Sequence, residues 1–254
     1  MRKILLIINL NSLLITALSI LSTWLCIRWN IRANFPLTLI ATAVIFPIVF
    51  SISGAYKRRE TALANYAQLK ALGQALYLAA RDWLTDPPPS TLTRARDSLG
   101  RLLAAVRVLL AADASQLRQH EAAVYASFAE LSRFVREELR ERGLVANEVS
   151  RCNQYLARMM VAFENCKHIY QYRTPRTLRA FSTVFICLLP ILYGPYFAAA
   201  AADYAPQVSY AMPVLFSLVL VSLHNIQNHL ENPFDGVGED DISINVEAFL
   251  RRLD

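Results

Sequence analysis

The sequence predicts an all-α membrane protein, with four spans and a long helical region between the second and the third. Three observations carry that prediction. Residues 4–27, 33–56, 180–202 and 204–230 contain no Asp, Glu, Lys or Arg. The charge that is present is segregated: residues 57–179 hold 20 of the 26 Lys and Arg and 12 of the 20 Asp and Glu, a net of +8. Glycine is scarce at 7 in 254 residues, and no set of alternating apolar and polar segments points to a sheet.

The four charge-free windows are long enough to matter. About 20 apolar residues cross a hydrocarbon core of ~30 Å, and a window of this length reaches ~34 Å as a helix. One such run fits inside a soluble core; four would need a far larger globular domain than this chain offers. Apolar residue types make up 55% of the chain and charged ones 18%, which excludes a disordered chain. Cys26, Cys152, Cys166 and Cys187 are too scattered for a disulfide framework, and no pair has metal-site spacing.

Orientation follows from the flanks. Lys57, Arg58 and Arg59 follow the second window, and Arg173, Arg176 and Arg179 precede the third. Basic flanks stay in the cytoplasm, so the central region and both termini are expected inside. Arg28 and Arg32 in the first connection oppose this against Arg2 and Lys3, and the stronger central flanks decide. A cleaved signal peptide is the rival reading of the first window; its apolar run is too long and no small-x-small site follows. Asn9 and Asn11 within it are expected to face protein or water. The organisation read from these features is a transmembrane pair over 1–56, a cytosolic helical region over 57–179, a second pair over 180–230 and an acidic tail over 231–254.

The central elements are taken in order. Residues 57–84 are rich in Ala, Leu, Lys and Gln, with Ala62, Tyr66, Leu69, Leu72 and Leu76 on one stripe. No Gly/Pro cluster separates Phe50 from Trp83, so this helix continues the second span; Pro87, Pro88 and Pro89 end it. A second helix is expected over 91–112 and a third over 116–142 with Gly143 as its C-cap. A fourth covers 145–172 and stops at Thr174-Pro175.

Catalysis finds little support. There is no Gly-rich phosphate loop, no nucleophile elbow and no His-Glu-x-x-His. His224 and His229 lie ~140° apart around a helix and cannot share a metal. The arginines of the central region alternate with acids, which suits a solvated face better than nucleic acid.

Two patterns remain. After the fourth window, Glu231-Asn232-Pro233-Phe234-Asp235 runs into Glu239, Asp240 and Asp241, with Gly236 and Gly238 permitting a tight turn. Hard cations want several carboxylate and carbonyl oxygens from such a turn. The twelve-residue EF-hand pattern counted from Asp235 fails at Val246, so a plain acidic loop capping the helix stands beside a Ca²⁺ site. In the second window Thr42, Phe46 and Phe50 recur at i, i+4 and i+8 and share one helical stripe. Such a stripe, repeated around a ring, makes an apolar constriction that gates by dewetting; lipid contact or helix packing is the other reading.

Ordered landmarks resemble the bestrophin family of anion channels, and more closely its bacterial members. Gly54-Ala55-Tyr56-Lys57-Arg58 is similar to the family's Ser-Ala-Tyr-x-Arg segment, Ala80-Arg81-Asp82-Trp83 to its Ser-Arg-Asp-Trp, Thr174-Pro175 to its Thr-Pro, and Asn232-Pro233-Phe234 with the following acids to its Asn-Pro-Phe motif. The sequence departs from the family at Arg59 and Glu60, where tryptophans usually stand, and at Ser51, where the family has Arg. The resemblance implies a homopentamer in the bacterial inner membrane with one axial pore passing chloride or similar anions, and no enzymatic role. It implies a neck at Thr42, Phe46 and Phe50, and a Ca²⁺ clasp at Glu239, Asp240 and Asp241 with Asp235. Readings from other classes are a non-conducting membrane scaffold or sensor, binding a partner through the central helices, and a secondary transporter, for which four spans per chain are few.

Overall fold

The computed structural model describes residues 8–34, 37–112, 116–172, 176–203, 208–234, 236 and 241–253. The chain divides into two compact units. The first comprises Met1–Lys57 and Thr174–Glu231, the second Arg58–Arg173 and Asn232–Asp254. Every regular element among the described residues is helical.

In the first unit α1 covers Leu10–Arg28. Asn9 caps it: its Oδ1 accepts from the Ser12 amide at 3.0 Å, and the Asn9 amide is reached in turn by Ser12 Oγ. The buried face of α1 is almost all small or hydroxylic: Ser12, Ile15, Thr16, Ser19, Thr23 and Cys26. Small residues let helices approach closely where lipid removes any hydrophobic drive between them. Leu10, Leu13, Leu14 and Trp24 lie on the exposed side. Asn9 faces protein as expected, donating to Asn225 at 3.3 Å, whereas Asn11 lies on the exposed side.

Helix α2 runs unbroken over Leu37–Asp82, ~69 Å at 1.5 Å per residue. The second charge-free window forms its first part. Pro47 lies within it without ending it, and Gly54 does not interrupt it.

The third window departs from expectation. The sequence predicts one span over 180–202; the structure has α6 over Arg176–Leu192 and α7 over Gly194–Ala200, bent by 41° at Tyr193. Pro195 has no amide hydrogen, so the Ile191 carbonyl one turn earlier loses its helical donor. Ser22 Oγ of α1 supplies the bond at 2.7 Å, and Ser19 Oγ donates to the Pro190 carbonyl at 2.9 Å. Side-chain hydroxyls commonly satisfy broken helices in this way at membrane depth. Gly194 permits the approach: a Cβ there would collide with Ser22 Oγ and lie 3.1 Å from the Ser22 backbone carbon. Helix α8 covers Ala211–Glu231 and packs on α1 and α6. The apolar centre gathers Val44 and Ile48 from α2 with Ile186, Leu189, Phe197 and Leu220. Helices α1 and α8 are long and apolar enough to cross a membrane, as is the bent α6–α7 pair taken together.

The second unit is a helical bundle around one core. Pro88 and Pro89, which cannot extend α2, start α3 over Pro89–Ala111 instead, with Pro89 at the first helical position. Helix α4 covers Leu117–Phe134 and passes directly into a π-helix, Val135–Arg140. Gly143, at φ +97°, closes the turn as expected, and the Leu144 amide donates back to the Leu139 carbonyl at 3.0 Å. Helix α5 covers Ala146–Gln171, and the short α9 covers Val246–Leu250. Leu99, Leu102, Leu109, Leu131, Phe134, Leu139 and Phe163 are fully buried between them.

Candidate functional site

Two faces divide the membrane part of α2. Val44, Ile48, Ser51 and Ala55 are buried, while Thr42, Phe46 and Phe50 are exposed. Phe46 and Phe50 each keep 61% of their surface open in the single chain. Their rings lie 4.6 Å apart between centroids and meet edge to face at 76°. Such a pair is worth ~1 kcal/mol beyond its buried area and favours this arrangement of the two rings. Thr42, Phe46 and Phe50 thus share one open side of α2 in the single chain. Ile40, Val49 and Tyr56 are exposed around it.

The far end of the first unit is fixed by an ion pair. Arg179 near the start of α6 bonds Glu231, the last residue of α8, at 2.7 Å, with the Glu231 side chain only 7% exposed. One turn along the same face of α8, Gln227 is fully buried and neither amide atom has a partner among the described residues.

The Asn-Pro-Phe segment belongs to the second unit's core. The Asn232 side-chain oxygen accepts from the Phe234 amide at 3.4 Å, and the Ile242 amide donates to the Pro233 carbonyl at 2.7 Å. Phe234 packs into the core together with Ile242, Ile244, Val246, Phe249 and Leu253. Sequence reasoning treated this motif as a landmark ahead of acids and missed its packing role; the signal was the apolar alternation of Ile242, Ile244 and Val246. Of the four expected calcium ligands, Asp235, Glu239 and Asp240 lie outside the described residues. Asp241 lines a cavity of about 560 Å³ together with Phe234, Gly236, Arg107 and Glu247. Arg107 and Glu247 approach to 3.6 Å there, so that carboxylate already has a cation. No three His, Cys, Asp or Glu converge among the described residues.

The second unit is otherwise cross-linked by charge. Lys167, 8% exposed, donates to Glu121 at 2.8 Å and Tyr125 at 2.7 Å and pairs with Glu164 at 2.7 Å. Burial alone would push its ammonium down, but the bonds to Glu121, Glu164 and Tyr125 raise it above the ordinary lysine value. Cys166 and Cys152 are buried, and burial pushes their thiols up to about 12 and about 11, which leaves both unreactive at neutral pH.

No protein-family model matches the sequence, and no curated protein matches it. Solved structures do. A point variant of a bacterial bestrophin homologue from Klebsiella pneumoniae is 18% identical, with a TM-score of 0.77 over 100% of this chain and 98% of that one. Another structure of a K. pneumoniae bestrophin homologue, phased on zinc, is 19% identical with a TM-score of 0.75 over 99% and 97%. A variant described as a membrane protein is 16% identical with a TM-score of 0.79 over 97% of both chains. The chain thus has the fold of the bacterial bestrophin homologues from end to end, and the resemblance read from its motifs is met at the level of fold.

Proposed function

We propose that this bestrophin-fold chain is a passive ion channel of the bacterial inner membrane, a homopentamer that passes chloride or similar anions through a neck lined by α2. The observation that carries the reading is the open stripe of Thr42, Phe46 and Phe50, opposite a face that packs into its own subunit. Agreement of the fold with bacterial bestrophin homologues over the whole chain supports it.

The physics of such a neck follows from its side chains. Rings of phenyl groups narrow a water column and set a dewetting barrier without a binding site deep enough to trap an ion. Aromatic edges carry partial positive charge, so rings held edge-on greet a partly dehydrated anion. Thr42 ends the constriction with a hydroxyl. The net +8 of residues 57–179, placed on the cytosolic side with both termini, raises the local anion concentration by focusing the field. The acidic run at Asp235, Glu239, Asp240 and Asp241 is a candidate for calcium binding, and conduction as proposed does not depend on it. The pathway needs no chemistry, so no enzymatic role is assigned.

Purified protein in liposomes tests this reading. Halide efflux under a chloride gradient, with a fivefold mass in detergent, is the expected result. A fivefold assembly without flux of any ion would transfer the reading to the non-conducting scaffold, and saturable flux that needs a co-ion would transfer it to a transporter.

A further inference from the structure

The π-helix in the second unit carries an arginine groove that nothing in the channel reading uses. Val135 and Leu139 of the π-turn point into the core, both essentially without exposed surface. Arg133 at the end of α4 and Arg136 and Arg140 of the π-turn line one cavity of about 260 Å³. Ser132 and, from α5, Asn153 add a hydroxyl and an amide to its wall, and Val135 and Val149 form an apolar floor. No carboxylate lines it.

The neighbouring acids are committed elsewhere. Glu130 is bonded by Arg101 Nε at 3.1 Å and by Ser98 at 3.3 Å. Glu138 is bonded by Arg94 at 2.6 Å, Arg142 at 2.7 Å and Thr91 at 3.1 Å. Glu137 is shared between Arg136 at 3.1 Å and Arg94 at 3.6 Å. Arg133 and Arg140 have no carboxylate at ion-pair distance among the described residues. Three guanidinium groups thus surround one concavity; only Arg136 has a carboxylate at ion-pair distance, and Arg133 feels the charge of Glu130, which Arg101 and Ser98 already bind. Interrupting an α-helix with a π-turn also has a cost, and such turns concentrate at functional sites.

We propose that this groove is a binding site for a compact phosphate oxyanion: inorganic phosphate or the phosphate group of a monoester or lipid. Guanidinium forks pair bidentately with tetrahedral oxyanions, and chloride, a single spherical charge, cannot take two parallel bonds from one fork. Ser132 and Asn153 supply further donors for the remaining oxygens. The volume suits one phosphate and little more, below the usual range of ~300–1,000 Å³ for drug-sized ligands. The site stands apart from conduction and does not rest on the channel reading.

Calorimetric titration of inorganic phosphate into the full chain in detergent, at constant ionic strength set with chloride, tests it. Saturable binding is expected, weakened roughly tenfold or more in Arg133→Gln/Arg140→Gln, since two charged contacts are lost. Arg133→Lys, which keeps the charge and loses the fork, weakens phosphate binding as well, and Arg118→Gln, a change at an exposed arginine on α4, leaves it intact. Helical content and thermal midpoint without phosphate serve as the folding control for each variant. A second arm measures protein in vesicles of phosphatidylglycerol against phosphatidylcholine. Dependence on Arg133 and Arg140 in detergent assigns a soluble phosphate, and dependence only in phosphatidylglycerol assigns a headgroup. Absence of both, or equal loss in Arg118→Gln, overturns the site. Because no arm reads flux, a channel that fails to conduct leaves this result standing, and the reverse holds as well.

Discussion

The Ser22 hydroxyl donates to the Ile191 carbonyl at 2.7 Å, and that carbonyl lacks a helical donor because residue 195 is proline. The bend between α6 and α7 is therefore held from outside, by α1. Ser22→Ala should lower the thermal midpoint in detergent by an amount equivalent to ~1–2 kcal/mol, the cost of a buried carbonyl left unmade. Gly194→Ala should cost more, since its Cβ would collide with Ser22 Oγ and crowd the Ser22 backbone. The double variant should be less destabilised than the sum of the singles, because the closest collision is with the hydroxyl that Ser22→Ala removes. Additive losses would show that the two residues do not meet.

Arg179 and Glu231 predict an asymmetry. Removing one partner of a buried pair costs ~3–5 kcal/mol when the other charge cannot reach water. Glu231 is nearly enclosed whereas the Arg179 side chain is 36% exposed. Arg179→Gln strands the carboxylate, while Glu231→Gln leaves a guanidinium that water reaches. The first variant should melt lower than the second.

The second unit should be least stable at the extremes of pH. The bond from Arg142 holds the Glu138 carboxyl below the usual glutamate range against burial, with help from Thr91 and Arg94, and Arg101 does the same for Glu130. A depressed carboxyl contributes fully above the unfolded value of about 4.3 and is lost as pH falls through the folded one. Lys167 runs the other way: its stabilisation is complete below about 10.4 and lost as pH rises through its raised value. Thermal midpoints across pH should show both limbs. Glu138→Gln should flatten the acid limb, and Lys167→Met the alkaline one.

Much of this architecture is legible in the residues, and the gaps have physical causes. The continuity of α2 was readable because 46 residues run without a Gly/Pro cluster. The break at Tyr193 was missed because a charge-free window reports only hydrophobicity; Pro190, Gly194 and Pro195 were visible, but the hydroxyls that make a break affordable sit on another helix, at Ser19 and Ser22. The π-turn escaped notice because one inserted residue barely alters a helical pattern: the buried Leu131, Val135 and Leu139 keep an ordinary four-residue spacing. The stripe of Thr42, Phe46 and Phe50 was legible as spacing. What it faces is not set by spacing, because a water column, lipid tails or another protein would each leave the same residues exposed in one chain. Phe234 was read as a flag for acids when its ring is a core residue.

Single-channel recording in planar bilayers probes the neck most directly, comparing the native chain with Phe46→Ala/Phe50→Ala. If α2 lines the conducting axis, removing both rings widens the constriction and lowers its dewetting barrier, so unitary current rises and closures shorten. Unitary currents of unchanged amplitude would place those rings away from the ion path and contradict the account.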